Sequence, residues 1–573
     1  MLGAVYAQGR MTYLCASISV DGFDEVGTQT ALERADAACS QGAQLIEWRI
    51  DHANAGRDDV RVLHLVEHSP LPCIVTCRLR SEGGQYDGTE RDRLAMLEKT
   101  VRTGKARYVD VELQVLDDPA GAGLREIVRK RSGDDLPTRL IVSTHDFHGR
   151  PSDLYRRLQR MGSDESCSIA KVVWQARSLR DNLQAFEVLC NRTKPTIALC
   201  MGEFGVMSRI LAPKFGGFLT FAGVDSDSIT APGQPGLDEL RSIYRFDKIS
   251  ADTKVYGIIG WPVGHSISPH LHNSGFDAMG YDGVYVPMPI APEYEHFKAT
   301  LCAMLDDEKL DFRGASVTLP HKANLMRFAR AWEDLDHSAS AGEGKSWRIV
   351  IDEMVEEVGA ANTLSVREDG DNRVLEITNT DVDGLVDSLC ETLAIDDRAK
   401  LSELHAAIVG AGGAARAAVA GLSRYGASVT ICNRTEARAQ ELAVDFSGRK
   451  VDGSKRERRV AAGPIEVLAS LQCDVIINAT SVGMTGGPDP AGSPIPLYLL
   501  EGRANREGTL IFDLVYSPRM TPLLRAARDS GFRTLGGLEM LIQQAAHQFR
   551  LWTANAAPTE RWRETAGRRP END

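Results

Sequence analysis

The sequence predicts an α/β protein: an N-terminal (β/α)8 TIM barrel followed by a two-domain α/β unit that contains a Rossmann domain. Three observations carry this. From Leu14 to Val224 a short β-rich run, a polar turn and a stretch of helical periodicity recur eight times. A polar connector, "LDELRSIYRFDKISADTK" (237–254), then leads into a second alternating region. Within that region the glycine-rich turn "VGAGGAAR" (409–416) stands between an apolar run and a helix-forming one.

The eight runs are LCASI (from 14), LIEWRID (45), CIVTCR (73), YVDVEL (108), RLIVSTHDF (139), IAKVVWQ (169), TIALCMG (196) and LTFAGV (219). Strands alternating with helices make a parallel sheet, either closed as a barrel or open and doubly wound. The charges favour the barrel. Glu47, Arg49, Asp51, Arg78, Asp110, Glu112, His145, Asp146 and Lys171 all fall at or near the C-terminal ends of apolar strands. In a barrel those ends meet at one catalytic mouth. A single strand lysine is more often a snorkelling residue, but here five strands break the same rule. "IAKVVW" sets Lys171 among apolar neighbours, a setting that disfavours an ammonium and leaves a nucleophile able to form a Schiff base. His145 can then move a proton with Glu112 orienting it, while Arg49, Arg78 and Arg209 supply cations for an anionic substrate.

Composition narrows the function classes. A net charge of −13 gives no general attraction to nucleic acid, so an anion site must be a local Arg/Lys constellation. No apolar stretch approaches a membrane span, and the N-terminus lacks a signal or transit bias. The expectation is a cytoplasmic protein, with a plastid left open. Eleven cysteines, scattered through apolar runs, read as reduced thiols. Cys73 and Cys77 lack a second suitable pair, so no metal is expected. Oligomeric state is not legible.

"EWRID", "TCR", "DVEL", "STHDF", "IAKV", "MGEFGVMSR" and "APGQ" occur in this order and closely resemble type I 3-dehydroquinate dehydratase. The resemblance implies that Lys171 forms an imine with a substrate ketone, that His145 is the acid/base, and that Glu112 partners it. Loss of water would convert 3-dehydroquinate into 3-dehydroshikimate. Glu47, Arg49, Arg78, Arg209 and Gln234 would line the substrate site. The family's serine before proline-glycine-glutamine is replaced within "DSDSITAPGQ", where Thr230 is the choice and Ser228 the alternative. The implied domain is 11–246.

After residue 254 the runs VYGIIG, GASVTL, NTLSV and VLEITN alternate with helical stretches, and HAAIVGA, SVTICN, DVIINAT and TLIFDLV form a further set. In the turn itself, Gly410, Ala411, Gly412, Gly413 and Ala414 would point backbone N–H groups at a pyrophosphate. A dinucleotide fold selective for NAD carries an acidic residue near the end of the next strand. Asn433, Arg434 and Thr435 stand there instead, followed by Arg438. Arginines pair with a 2′-phosphate, so the cofactor is expected to be NADP(H); a solvated surface arginine is the bland alternative.

"GHSISPHLHN", "SVTLPHK", "GAANT", "NTDVDG", "GAGGAARA", "NRTEAR", "INATSVGM" and "MLIQQAAHQF" together resemble shikimate dehydrogenase. The resemblance implies Lys322 and Asp381 at the reacting carbon and Ser266 and Ser268 on the substrate carboxylate, with Thr318, Asn362 and Gln544 on ring hydroxyls. Serines also cap helices, the bland role for "SIS". Ser316 stands where many members carry Asn, a change expected to be tolerated. The implied domains are 254–383, completed by helices 537–560, and a Rossmann domain 384–536. Stretches 332–347 and 448–460 read as solvated loops, and "TAGRRPEND" as a frayed tail. The expected function is bifunctional: dehydration of 3-dehydroquinate, then NADPH-dependent reduction of 3-dehydroshikimate to shikimate. Alternatives are an inactive quinate-pathway regulator or an NAD-linked quinate dehydrogenase. Ser268 and Arg434 lean against the second.

Overall fold

The structure, a computed structural model, describes residues 12–130, 138–224, 233–332, 346–370, 372–503 and 506–567. The chain divides into two compact units, Met1–Pro269 with Asp282–Phe312, and His270–Tyr281 with Arg313–Asp573.

In the first unit, β1 (Tyr13–Ser19), β2 (Leu45–Arg49), β3 (Cys73–Thr76), β4 (Tyr108–Glu112), β5 (Arg139–Asp146), β6 (Cys167–Gln175), β7 (Thr196–Met201) and β8 (Leu219–Ala222) run in the order β7-β6-β5-β4-β3-β2-β1-β8. Every ladder between them is parallel. Across the remaining seam Phe218 N donates to Thr196 O at 2.8 Å, nearly closing the barrel. Local chemistry supports the intervening helices. Asp24 accepts from Gly27 N to start Glu25–Ser40, and Thr89 accepts from Asp92 N to start Glu90–Thr103.

Strand periodicity stacks the barrel interior in layers. Cys15, Leu45, Ile74, Tyr108, Ile141 and Ile169 share one apolar cluster, where Phe218 meets Tyr13 and Tyr108 edge-on with centroids 5.5 Å apart. Two residues further along each strand the side chain returns to the same face. Those positions are Ser17, Glu47, Thr76, Asp110, Ser143 and Lys171, all buried. The apolar layer thus plugs one end of the barrel, and the polar layer lies on the side of the strands' C-terminal ends.

The first unit also holds β9 (Lys254–Gly260) paired in parallel with β10 (Gly283–Pro289), and helix Tyr294–Asp306. Compactness therefore groups these elements with the barrel, whereas sequence divides the chain after residue 246. The reason is packing. Phe204 stacks on Trp261 with centroids 4.8 Å apart, and buried Lys214 Nζ donates to Ala251 O at 2.8 Å and Thr253 O at 2.7 Å.

In the second unit, β11 (Phe312–Val317) is antiparallel to β13 (Thr363–Asp369), which is antiparallel to β14 (Asn372–Thr378); β12 (Ser346–Ile351) runs parallel to β14. The Rossmann sheet comprises β15 (His405–Val409), β16 (Ser428–Cys432), β17 (Arg459–Gly463), β18 (Val475–Asn478), β19 (Leu510–Asp513) and β20 (Arg533–Gly536). All are parallel, in the order β17-β16-β15-β18-β19-β20. Alternate residues feed two apolar cores: Ala406, Ile408, Val475 and Ile477 face one side, Ala407, Val409 and Ile476 the other. The order reverses between β15 and β18, which places a ligand crevice above those strand ends.

Four strands escape the sequence reading. β10 carries Pro287 and Pro289, which argue against a strand, and β20 is short. β17 begins inside the stretch expected to be a solvated basic loop. There Arg458 is buried and ion-paired with Glu357, because a guanidinium withdrawn from water takes a carboxylate partner. β12 begins at the end of the other expected loop, of which 333–345 lie outside the described residues. Helix Thr559–Gly567, anchored by buried Trp562 and Ala566, extends into the expected frayed tail; 568–573 lie outside the described residues.

Candidate active sites

The barrel mouth contains a cavity lined by Glu47, Arg49, Arg78, Glu82, His145, Lys171, Arg209 and Gln234, with Phe147, Met201 and Phe221 among its apolar walls. Lys171 Nζ lies 2.9 Å from Asp110 Oδ2, 3.8 Å from Glu47 Oε1 and 4.5 Å from the centre of the Phe221 ring. Lys171 is buried as expected, but against carboxylates as well as apolar groups. Glu47 in turn accepts from Ser17 Oγ at 2.5 Å and Thr76 Oγ1 at 2.8 Å.

One assignment is corrected. His145 Nδ1 lies 3.0 Å from Oε2 of Glu82, and the same carboxylate accepts the His145 backbone N–H at 3.1 Å. Glu112, expected as the partner of His145, pairs instead with Arg78 at 3.1 Å and Arg93 at 2.8 Å and accepts from Leu79 N. Two buried guanidiniums claim it. Glu82 was missed because it sits in the loop after β3, outside the strand ends where charge is conspicuous.

The three arginines differ. Arg49 is paired with Asp51 at 2.6 Å, and Arg78 is committed to Asp110 at 2.7 Å, Glu112 and Ser143. Arg209 is 2% exposed and has no carboxylate partner among the described residues. Burial lowers its pKa to about 10. Of the three it alone lacks a carboxylate among the described residues. Gln234 lines the cavity; Thr230 and Ser228 lie outside the described residues.

Electrostatics divides the labour further. Burial, reinforced by the cations Arg78 and Lys171, holds His145 well below the usual imidazole range, which favours the uncharged ring. Burial pushes Glu82 up to about 7, with Arg78 opposing and Glu112 adding. Burial works against ionised Asp110 as well, but Arg78 and Lys171 overcome it and hold the carboxyl well below its ordinary value.

In the second unit Lys322 Nζ lies 2.5 Å from Asp381 Oδ2. Asn379 caps helix Thr380–Leu393 by accepting from Asp381 N, so Asp381 sits in the first turn, where the helix dipole favours a carboxylate. Asn362 Nδ2 donates to Asp381 Oδ1 at 2.9 Å, and Asn362 Oδ1 accepts from Thr380 N at 2.8 Å. Gln544 Oε1 lies 3.3 Å from Asn362 Nδ2. Asn362 is thus occupied in holding Asp381, beyond the ring contact expected of it. Ser316 Oγ donates to Gln548 Oε1 at 2.7 Å, and Gln548 Nε2 to Thr363 Oγ1 at 2.8 Å. Thr318 precedes Lys322 in the turn closed by the His321 N to Thr318 O bond. In the first unit Ser266 Oγ accepts from Ser268 N at 3.2 Å, the helix-capping role, and Ser268 is buried.

The glycine-rich turn also lies in the second unit. Gly410, at φ 120°, follows β15, and helix Gly413–Arg424 follows the turn. A Cβ at Gly410 would approach Thr480 Cγ2 to 3.1 Å, whereas one at Gly412 or Gly413 would meet nothing within 4 Å. The residues fit a dinucleotide: backbone amides of Gly412, Gly413 and Ala414 border open space at a helix N-terminus, with Ala411 half-buried beneath. Asn433 Nδ2 donates to Thr435 O at 2.9 Å, which shapes the turn after β16. Arg434 and Arg438 are exposed there with no carboxylate partner among the described residues.

A barrel with a buried lysine beside a histidine, joined to a Rossmann fold with a Lys/Asp pair, defines a two-site α/β enzyme. Comparison with known families agrees. Residues 26–251 match the type I 3-dehydroquinase family, 258–342 the shikimate dehydrogenase substrate binding domain, 392–485 the shikimate/quinate 5-dehydrogenase family, and 537–566 the shikimate 5'-dehydrogenase C-terminal domain. The chain is 34% identical over 560 residues to the chloroplastic bifunctional 3-dehydroquinate dehydratase/shikimate dehydrogenase of Arabidopsis thaliana, covering 96% of this chain and 83% of that protein. It is 36% identical over 310 residues to the shikimate dehydrogenase (NADP(+)) of Caldanaerobacter subterraneus, covering 53% of this chain and 94% of the other. A solved structure of the dehydroquinate dehydratase and shikimate dehydrogenase of S. pombe AroM matches at 24% identity and a TM-score of 0.42, with 99% of each chain covered. The chain belongs to the family of bifunctional 3-dehydroquinate dehydratase/shikimate dehydrogenases, joining a lyase to an oxidoreductase of the shikimate pathway. Among the described residues no helix is long and apolar enough to cross a membrane.

Proposed function

We propose that the barrel, residues 11–246, dehydrates 3-dehydroquinate through an imine on Lys171. The second half, 254–383 with 537–560 and 384–536, then reduces 3-dehydroshikimate reversibly to shikimate with NADPH. One observation carries the reading: a buried amine, a neutral histidine and an arginine without a carboxylate partner among the described residues line one cavity. Deprotonated Lys171 adds to the ketone carbon, whose oxygen leaves as water, while ionised Asp110 stays beside the nitrogen and stabilises the iminium charge. With Glu82 ionised, Nδ1–H of His145 donates to it, leaving the Nε2 lone pair to take a proton from the carbon beside the iminium. The resulting enamine expels the hydroxyl, which leaves as water with the proton held by His145. Hydrolysis of the imine frees the enone and Lys171. Arg209 takes the substrate carboxylate, and Gln234 a hydroxyl.

In the second site Lys322 donates a proton to the developing alkoxide, and Asp381, held by Asn362 and the helix N-terminus, keeps the ammonium charged and aimed. Ser266 and Ser268 bind the carboxylate, and Thr318 and Gln544 the ring hydroxyls. The family retains NADP(+)-dependent relatives; here Gly410 to Ala414 would hold the pyrophosphate, Asn433 and Thr435 the ribose edge, and Arg434 and Arg438 the 2′-phosphate. NADP(H), when bound, supplies the hydride equivalent. Ser268 and Arg434 favour shikimate and NADP over quinate and NAD. Eleven cysteines held as free thiols fit a reducing compartment, cytoplasm or plastid.

The test mixes the chain with 3-dehydroquinate and NADPH and follows enone absorbance and NADPH loss beside Lys171→Ala and Lys322→Ala. The wild type consumes NADPH, Lys171→Ala performs neither step, and Lys322→Ala accumulates the enone. Flat signals in a wild type that still binds ligand would replace this reading with a regulator.

A further inference from the structure

A second basic cavity of about 690 Å³ lies in the first unit, with Arg150, Arg177, Arg180 and His296 in its wall. Arg150 follows β5 and Arg177 follows β6, the strands that carry His145 and Lys171. Neither arginine belongs to the substrate cavity described above.

Arg150 is half-buried and Arg177 and Arg180 are exposed, and three features distinguish their arrangement. Arg150, Arg177 and Arg180 have no carboxylate partner among the described residues, although the chain carries a net charge of −13. The carboxylate in the wall, Asp181, is turned to the backbone, with Oδ2 accepting from Arg177 N at 2.9 Å and Ser178 N at 3.0 Å. The guanidiniums of Arg150 and Arg177 also rest against fixed neighbours. Gly149 adopts φ 141°, and a Cβ there would stand 2.6 Å from Arg177 Nε, so the backbone yields its space to that side chain. The Arg150 guanidinium lies over the Tyr155 ring, 5.5 Å from its centre.

Three like charges gathered in one concave wall repel one another unless an anion joins them, and guanidinium forks suit oxyanions. A single carboxylate would leave the wall positive. We propose that this cavity binds a multiply charged oxyanion of metabolite size, either a polycarboxylate or a phosphate-bearing molecule.

The test is calorimetric titration of the full chain with tripolyphosphate and, separately, with citrate. Ionic strength is fixed with KCl, and NADP+ is kept saturating so that Arg434 and Arg438 are covered. Wild type gives one saturable site, and Arg177→Gln/Arg180→Gln weakens it by about tenfold or more. Binding of tripolyphosphate alone identifies the phosphate class, of citrate alone the polycarboxylate class, and of both a site selected by charge; each supports the proposal. Absence of saturable binding by either probe overturns it, as does binding unchanged in the double variant. Should the double variant fold poorly, Arg180→Gln alone, at an exposed helix start, carries the same comparison.

Discussion

Glu82→Gln isolates the charge that faces His145. The carboxylate and the imidazolium formed during proton abstraction are 3.0 Å apart, and such a pair attracts by roughly 5 kcal/mol at an effective dielectric of about 20. Solvent reaches both side chains, 12% and 18% exposed, so screening reduces the part lost to roughly 3 kcal/mol, about 10²-fold in kcat. The glutamine keeps the volume and a hydrogen-bonding oxygen, so the loss reports charge and tautomer control. The pH profile sharpens the test. Burial pushes the Glu82 carboxyl up to about 7, so wild-type dehydratase activity falls as pH drops through about 7 and the variant lacks this limb. Stability moves the opposite way. Because the folded state holds this proton more tightly than the unfolded chain, the stabilising contribution is complete below an ordinary carboxyl value of about 4.5 and is lost as pH rises through about 7. The glutamine variant loses nothing over that window. The assay is enone formation between about pH 5.5 and 9, beside denaturant unfolding at both ends of that range. A variant with wild-type kcat and an intact acidic limb would refute the role of Glu82.

Three further outcomes follow from the geometry. Arg209→Met should raise the KM for 3-dehydroquinate by about 10²-fold or more while increasing thermal stability by roughly 1–3 kcal/mol, since an uncompensated buried cation is costly. A variant that loses stability would show Arg209 to be a structural group. Arg434→Ala/Arg438→Ala should raise the KM for NADPH by about 10–100-fold and leave that for NADH nearly unchanged; a surviving preference for NADPH would exclude the 2′-phosphate role. Glu357→Gln, which removes the nearer carboxylate from buried Arg458 and leaves Asp452 at 3.9 Å, should destabilise the second unit by roughly 1–3 kcal/mol in denaturant unfolding while Lys322-dependent activity in native buffer persists.

The barrel strands were legible because apolar β-rich runs recur between helical stretches, and Lys171 and His145 stood out as ionisable groups inside them. Lys322 and Asp381 were legible through flanking motifs, and the cofactor cradle through glycines followed by Arg434 where an acid was expected. β17 was hidden in a basic stretch, and β10 by its prolines. Propensity reads a residue against its neighbours in the chain, whereas Arg458 is decided by Glu357 and β10 by its ladder with β9.

The sequence by itself nominated the groups able to do chemistry, because an amine, an imidazole and a carboxylate declare themselves by type and by the runs in which they lie. Only the tertiary structure decided which charges are spent. Arg78 and Glu112 neutralise each other within the barrel mouth, Glu82 turns in from a loop to His145, and Arg209 is left without a carboxylate among the described residues. Charges in a chain interact through distance and burial, and neither quantity exists until strands far apart in sequence are brought side by side.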